Sequence, residues 1–507
     1  MMATEVELKL AATPAAVAAA RRHRAIAAAS AGRARTTAIV SSYYDTPSND
    51  LRDRGVALRL RHRGSRWLQT VKGDGIAVAG VHRRAEYEWP LQRARLDPGK
   101  LATTPWAALF AAVGGRLNPV FTTEVSRTEH PLAFDDGTRA TLCFDRGIVR
   151  AGRRRAALCE IEVELIDGDA RRLYELALAL CADIPLTLAH WSKADRGYAL
   201  ARPRPRRPVH AGRVMLAPDI AAPRALAAIA ADCLAQIGGN AEPLRGGRDG
   251  EFLHQLRVGV RRLRSLLKLA AREESTPEIA SLDAALRGLG DVFGPARDWD
   301  VFATGTLAAI APHLSDPQLR RVFGRLRSRA TRQRRLHQVA AQTAAGSQRF
   351  TCLLLALGRY CAGLGLAAPE APKASALARA ALERGDRRLR KCGKRLRDAD
   401  AAGRHRVRVA AKKLRYSAEF FAPLFRHAGA KAYIGALAEL QRSLGQLNDM
   451  AAATRLLDEL APPAGGSVEL AHAAGIVRGW IAATSAHELA RMAKAWLEFA
   501  KAKPFWE

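Results

Sequence analysis

The sequence predicts an α+β protein: an antiparallel β-barrel with a charged interior, followed by an all-α domain built from two related helical bundles. Three observations carry this. Short runs within residues 1–200 place charged side chains on alternate positions, which is the period of a strand. The stretch "ARPRPRRPVHAG", residues 201–212, then forbids regular structure through its prolines and stays solvated through its arginines. Beyond about residue 216 the strand signals stop, helix-period runs continue, and one basic pattern recurs 151 residues further on.

At 507 residues the chain exceeds what one core normally serves, and 48% hydrophobic content is ample for two. The seven cysteines are scattered and form no C-x-x-C, which argues for reduced thiols in a cytosol and against a disulfide frame or a zinc site. Glu5 falls where the apolar run of a secretion signal would begin. The most membrane-like stretch, "TCLLLALGRYCAGLGLAAP", is broken by Arg359 and reads as a buried helix, so no membrane is expected. Charge is uneven. Residues 1–200 hold 30 Lys/Arg against 22 Asp/Glu, whereas the remainder holds 51 against 27. The C-terminal part therefore calls for a polyanionic partner. Nucleic acid, an anionic membrane and inorganic polyphosphate all qualify on charge. An aromatic content of 6%, with no aromatics interleaved in the basic stripes, counts against nucleic acid held by stacking.

Taken in order, "EVELKL" alternates Glu5, Glu7 and Lys9 with Val6, Leu8 and Leu10. A helical patch at 14–30 follows. Then "LRLRHR" aligns Arg59, Arg61 and Arg63, "RWLQTVKG" brings Lys72, and "AEYEWPL" pairs Glu86 with Glu88. "RATLCFDRG" carries Asp145, and "EIEVEL" aligns Glu160, Glu162 and Glu164 ahead of a second helical patch at 169–183. The intervening residues are apolar and need a cover. A solvated sheet face usually mixes signs and adds Thr, Ser and Gln, whereas here each strand shows one sign or a set pairing. Gathered carboxylates repel unless a cation sits between them, and gathered guanidinium groups need an anion. A closed barrel holding a metal–polyanion complex meets both demands; a solvated sheet is the alternative. Hard cations such as Mg²⁺ or Mn²⁺ take carboxylate oxygens, and Arg matches phosphate oxygens bidentately. No G-x-x-x-x-G-K-[ST] occurs, so side chains must hold the phosphates.

In order and over essentially all of residues 1–200, "EVELKL", "YYDTP", "LRLR", "LQTVKG", "EYEWPL", "FDRG", "EIEVEL" and "SKADRG" resemble the CYTH domain of the triphosphate tunnel metalloenzymes. The resemblance implies an eight-stranded antiparallel tunnel that hydrolyses or cyclises triphosphates with Mg²⁺ or Mn²⁺. It implies metal ligation by Glu5 and Glu7 and by the late acids Glu160, Glu162 and Glu164, whose register the basic insert "RAGRRRAAL" leaves open by two residues. Lys9, Arg59, Arg61, Lys72, Arg127 and Lys193 take the positions that hold the triphosphate for catalysis, with Arg84 as a further phosphate contact. Glu86, Glu88 and Asp145 fall on acidic positions of the tunnel.

The repeat lies in "HQLRVGVRRLR" from His254 and "HRVRVAAKKLR" from His405, which share basic residues at +3, +7, +8 and +10 and Leu at +9. At about 100° per residue, His, +3, +7 and +10 fall within an arc of roughly 80°. Leu256, Val260, Leu263 and Leu267 cluster opposite in one copy, and Val407, Ala411, Leu414 and Ala418 in the other. Asp298 and Asp449 follow at +44 in both, so an internal duplication is the simplest explanation. A solvated basic face is the alternative, but such faces usually carry Glu, and here only Glu419 follows, beyond the stripe. The arrangement resembles the CHAD domain, over residues 216–507. That implies inorganic polyphosphate binding by His254, Arg257, Arg261, Arg264, His405, Arg408, Lys412 and Arg415, with Arg262 and Lys413 off the stripe.

The expected organisation is a tunnel domain at 1–200, a linker at 201–215 and a helical domain at 216–507, with repeats at about 216–370 and 371–507. Joined, the two parts resemble CYTH–CHAD proteins, which implies a cytoplasmic inorganic triphosphatase that cleaves triphosphate to diphosphate and phosphate and associates with polyphosphate granules. A non-catalytic polyphosphate-binding granule protein is the alternative of a different class. Adenylate cyclase and thiamine triphosphatase share the tunnel.

Overall fold

The opening strand, β1 (Met2–Ala11), finds partners on both edges, and that closes a barrel. The remaining strands are β2 (Arg35–Asp45), β3 (Ala57–Arg63), β4 (Arg66–Val78), β5 (Val81–Leu91), β6 (Asn118–Ala133), β7 (Arg139–Ala151), β8 (Arg154–Asp167) and β9 (Thr187–Leu188). Around the ring the order is β1–β5–β4–β3–β2–β6–β7–β8 and back to β1, every pairing antiparallel, with β9 adding a short rung to β1. This is the expected eight-stranded antiparallel barrel. The computed structural model describes residues 2–247, 249–366, 371–425, 429–461 and 467–507.

The register sets charges of opposite sign across the strands. Glu5 stands opposite Arg84, Lys9 opposite Glu162, Lys72 opposite Glu86 and Arg127 opposite Asp145. Alternate residues point the other way, and Leu8, Leu10, Ile161 and Val163 are fully buried. The helix Arg171–Asp183 packs over β1 and β8, burying Leu173, Ala177 and Leu180. On the β3–β5 side, Leu58, Val71 and Tyr87 are covered by Leu101, Phe110 and Val113. Apolar residues thus cover the outside of the barrel and charges fill the inside.

The chain divides into two units: residues 1–208 with 346–363, and 209–345 with 364–507. The helix Gln348–Gly365, which holds the membrane-like stretch, is a buried helix over its Leu353–Leu357 core and belongs mostly to the first unit, where Gly358 lies against the Tyr174 ring. Among the described residues, no helix is long and apolar enough to cross a membrane.

The second unit is all-helical. Its helices Ala222–Gly246, Gly250–Glu273, Pro277–Val301 and Pro317–Gly346 are followed by Ala374–Gly393, Ala401–Phe421, Gly429–Leu460 and Val468–Lys501. Each helix of the first set begins 151 or 152 residues before its counterpart, so the duplication extends to whole bundles. The His254 helix (Gly250–Glu273) starts at Asp249, whose side chain caps Glu251 N, and the His405 helix (Ala401–Phe421) starts at Asp400, which caps Gly403 N. Both bury the apolar faces anticipated from the sequence. The repeat boundary expected near residue 370 lies outside the described residues.

Candidate functional site

Alternation along β1 sends Glu5, Glu7 and Lys9 into the barrel, where each meets an opposite charge from another strand. Lys72 and Arg84 reach Glu5 at 2.6 and 2.8 Å. Lys9 lies 2.9 Å from Glu7 and also contacts Glu162, while Arg84 contacts Glu7 as well. Lys72 and Arg59 approach Glu86 at 3.1 and 3.4 Å, and Glu88 accepts from Thr70 Oγ1 at 2.9 Å. With Tyr43, Arg61, Arg63, Arg127, Glu129, Glu164 and Lys193, these residues line a cavity of about 360 Å³. Its wall carries eight Lys/Arg and seven Glu, so it is close to neutral without a ligand. Burial drives the Glu5 carboxyl up, but Lys72 and Arg84 outweigh it and hold the group well below the usual range.

Among the described residues three charges on this wall form no ion pair: Glu88, bonded only by Thr70, Glu164 and Arg61. Among the described residues Glu164 makes no hydrogen bond or ion pair, and burial with the neighbouring Glu5 and Glu7 pushes it up to about 7. Arg61 bonds only Ser41 Oγ, at 3.4 Å, and burial beside Arg59 and Arg127 lowers it to about 10. Glu164 lies on β8 and Arg61 on β3, which are four places apart in a ring of eight and so face each other across it.

Of the three late acids, Glu162 and Glu164 line the cavity, whereas Glu160 does not and is fully buried beside Asp145. Carboxylate oxygens of Asp145, Glu160 and Glu162 lie within 4.8 Å of one another, a spacing that suits a cation. The Lys193 ammonium occupies that role, 2.7 Å from Asp145, 2.9 Å from Glu162 and in contact with Glu160. Arg127 takes both Asp145 oxygens, at 2.8 and 2.6 Å. Glu160 is thus placed as a counterion to Lys193. The carboxylates left for a metal are Glu5, Glu7 and Glu164, with Glu162 beside them. Their donors are all oxygens, the kind a hard divalent ion takes, and Glu164 forms no hydrogen bond or ion pair among the described residues; Asp145, Glu160 and Glu162 are the tighter carboxylate cluster.

Lys193 opens the helix Lys193–Ala201, whose capping box joins Ser192 and Asp195. This helix stops one mouth of the barrel. Tyr198 inserts among Tyr43, Phe121, Val125, Val149 and Leu158, where the inner wall turns apolar. Gly197 sits so close to Phe121 that a Cβ would lie 2.0 Å from its ring. The Tyr198 hydroxyl donates to Asp45 at 2.8 Å, and Asp45 also accepts from the backbone of Thr46, Leu51 and Arg52. The acid of "YYDTP" is therefore architectural, while its Tyr43 lines the cavity. Burial raises the Tyr43 phenol, but Arg59 and Arg61 bring it below its usual value. The sequence marks this motif without giving Tyr43 a role; the available signal was its alternate spacing from Ser41.

In the second unit the two histidine helices pack against each other. Burial lowers Lys412 to about 7, aided by Arg261, Arg408, Lys413 and Arg257, so the two stripes face one another. Burial and Arg261 lower Arg257 to about 10, and burial with Arg297 lowers His254 to about 4. The repeated acids sit nearby: Asp298 is 3.9 Å from Arg257, and Asp449 acts on Arg408. Arg264 is taken by Asp283 at 2.8 Å, and Arg415 by Gln441 and Glu419, each at 2.8 Å. Of the eight stripe residues, His254, Arg257, Arg261, Arg408 and Lys412 converge; Arg264 and Arg415 have other partners, and His405 is exposed.

The CYTH domain family matches residues 3–198, and the CHAD domain family matches residues 228–458. An inorganic triphosphatase of Haemophilus influenzae is 30% identical over 162 residues, covering 32% of this chain and 45% of that protein. An uncharacterised protein of Mycobacterium tuberculosis is 34% identical over 183 residues, covering 33% of this chain and 34% of that protein. The matched regions thus span less than half of either relative. The crystal structure of the CHAD domain from the plant Ricinus communis matches 58% of this chain and 97% of that one, at 34% identity and a TM-score of 0.50.

Proposed function

We propose that this chain, which belongs to the CYTH–CHAD proteins, is a metal-dependent inorganic triphosphatase whose helical unit binds inorganic polyphosphate. Triphosphate would be hydrolysed to diphosphate and phosphate. The observation that carries the reading is that Glu164 and Arg61 form no ion pair among the described residues and face each other inside a barrel that is otherwise nearly neutral. A bare polyanion would leave the carboxylates uncompensated, and a bare cation would do the same to the guanidinium groups. A metal-bound triphosphate satisfies both.

Glu5, Glu7 and Glu164, with Glu162, would hold Mg²⁺ or Mn²⁺, which supplies Lewis-acid stabilisation of charge on the phosphoryl oxygens. Arg59, Arg61, Lys72, Arg127 and Lys9 would hold the triphosphate and stabilise the transferred group, with Arg84, which pairs with Glu5 and Glu7, as a further phosphate contact. Asp145, Glu160 and Glu162 hold Lys193 protonated at the stopped mouth: burial opposes this, but the three carboxylates raise its pKa well above the ordinary value. Glu86, Glu88 and Glu129 are the remaining wall carboxylates, and Glu86 or Glu88 would orient water. Tyr43 is the one aromatic among the described wall residues, which leaves little for a nucleobase or a thiazole to contact and favours inorganic triphosphate. The five convergent stripe residues would hold polyphosphate, in a cytosolic protein that associates with polyphosphate granules. In this scheme residues 1–200 catalyse, 201–215 link and 216–507 bind.

The deciding assay is phosphate release from inorganic triphosphate, ATP and thiamine triphosphate with Mg²⁺ or Mn²⁺. Inorganic triphosphate should give the highest kcat/KM, and Glu7→Gln should abolish release. Cyclic AMP formed from ATP, or no turnover of any triphosphate, would overturn the assignment.

A further inference from the structure

Position +8 of the histidine pattern is cationic in both copies, Arg262 and Lys413, yet their surroundings are opposite. Arg262 is 3% exposed and points to the helix Ala222–Gly246, where it donates to Asp232 at 2.8 Å and to Gln236 at 2.9 Å. Its counterion is built into the protein. Lys413 borders Ala374–Gly393, the counterpart of that helix, and finds no carboxylate there. Instead it lines a cavity of about 110 Å³ with Lys268 and Arg272 from the His254 helix and Arg384 and Arg388 from Ala374–Gly393. No acid lines this cavity, and none of these five cations forms an ion pair or hydrogen bond among the described residues.

Like charges gathered without a counterion repel, more so where water is partly excluded. Lys413 shows the effect: burial, with Lys268, Arg388 and Arg272, lowers its ammonium below the ordinary lysine value. In the first copy a carboxylate relieves the cation from within. In the second, no carboxylate stands in that place, and four of the five cations are exposed, so an anion from outside can reach them.

We infer that this cavity is a binding site for a compact, multiply charged oxyanion with the chemistry of inorganic diphosphate. Size and position separate it from the stripes. The cavity has room for about four water-sized groups, enough to seat one phosphoryl end of a diphosphate and too little for an extended chain. Lys413 lies about 100° round its helix from Lys412, away from the facing stripes. Leu269 and Leu414 give the cavity apolar walls, and Ser265 and Ser417 are its polar uncharged side chains, so the five cations dominate the choice of ligand. The site does not depend on whether the stripes carry polyphosphate.

The test uses the full chain carrying Arg59→Ala and Arg61→Ala, so that diphosphate does not bind in the barrel. Calorimetric titration with inorganic diphosphate should show one site per chain. Arg272→Ala with Arg388→Ala should weaken it at least tenfold while changing long-chain polyphosphate affinity by less than twofold. Arg384→Glu, an exposed position that gains a carboxylate as in the first copy, should weaken diphosphate equally without lowering the melting temperature. Absence of diphosphate binding in the barrel variant, or binding unchanged by both sets of substitutions, would overturn the site. So would an equal loss of long-chain polyphosphate, since the cavity would then be only an extension of the stripes.

Discussion

Raising the pH from 6 to 9 should weaken polyphosphate binding by the helical unit, and one ammonium accounts for most of the loss. Lys412 is lowered to about 7 by burial and by Arg261 and Arg257 on one helix and Arg408 and Lys413 on its own. Asp298 and Asp449 lie beside Arg257 and Arg408 and only partly offset them. In the free protein Lys412 therefore gives up its proton as the pH passes 7. With a phosphate chain against it the proton is retained towards the ordinary lysine value of about 10.4. The bound form holds the proton more tightly, so affinity is highest below pH 7 and falls as the pH rises. If binding restores the pKa to about 9–10.4, the loss between pH 6 and 9 is roughly 50- to 100-fold, or about 2.5 kcal/mol at 1.36 kcal/mol per pKa unit. His254, at about 4, is neutral throughout this range, and Arg257, at about 10, stays largely charged. The assay is calorimetry at fixed ionic strength in the Arg59→Ala/Arg61→Ala background, in two buffers of different ionisation enthalpy. It should report uptake of nearly one proton per site near pH 8. Lys412→Arg, whose guanidinium keeps its charge, should match the parent at pH 6 and flatten the profile. An unchanged slope in Lys412→Arg, or no proton uptake, would refute the reasoning.

Removing cations from either wall of the paired helices should weaken polyphosphate binding and its salt dependence alike. Arg257→Ala/Arg261→Ala and Arg408→Ala/Lys412→Ala are the variants, and an unaffected affinity in either rejects a shared channel. Metal binding requires Glu164 to lose its proton, so Mn²⁺ affinity in the barrel should rise between pH 6 and 8, through the value of about 7, with proton release. Glu164→Gln should be weaker and flat across that range; a retained slope assigns the proton to another group. Gly197→Ala forces a methyl against Phe121 and should cost about 1–3 kcal/mol, read as a lowered melting temperature. An unchanged melting temperature would mean that the stopper helix does not seat as described.

The charged and apolar faces of the strands were legible because period-2 alternation is a local property, and β1 displays it within six residues. Register was not. Which of Glu160, Glu162 and Glu164 reaches the cavity depends on how β7 and β8 align. That alignment is set by the two-residue turn between Ala151 and Arg154, with Gly152 at a φ of 56°. The glycine in "RAGRRR" was the only hint. The stripes on the histidine helices were legible from 3.6-residue spacing, as was Glu419 four residues beyond Arg415, but the partners Asp283 of Arg264 and Gln441 of Arg415 were not. Asp283 and Gln441 lie on other helices, and no spacing rule connects them. The same holds for Arg262 and Lys413, identical in pattern and opposite in surroundings. Likewise the helix Gln348–Gly365 was evident from its apolar run, whereas its partner Tyr174 lies far back in the sequence.

The seating of β1 between β5 and β8 bears on how the barrel is made. β1 precedes every other stave in the chain, yet its two neighbours end at Leu91 and Asp167. A nascent chain must therefore carry β1 with one edge unpaired until β5 is complete, and with the other unpaired until β8 is. Pairings this distant are slow to form, and an open edge in the interval invites pairing with other chains. Strands that must wait are kept from doing so by charges along their length. Glu5, Glu7 and Lys9 are such charges, so the residues proposed to furnish the chemistry of the finished barrel would also guard its first strand during synthesis. Hydrogen exchange during refolding should accordingly show the β1 amides protected last among the staves.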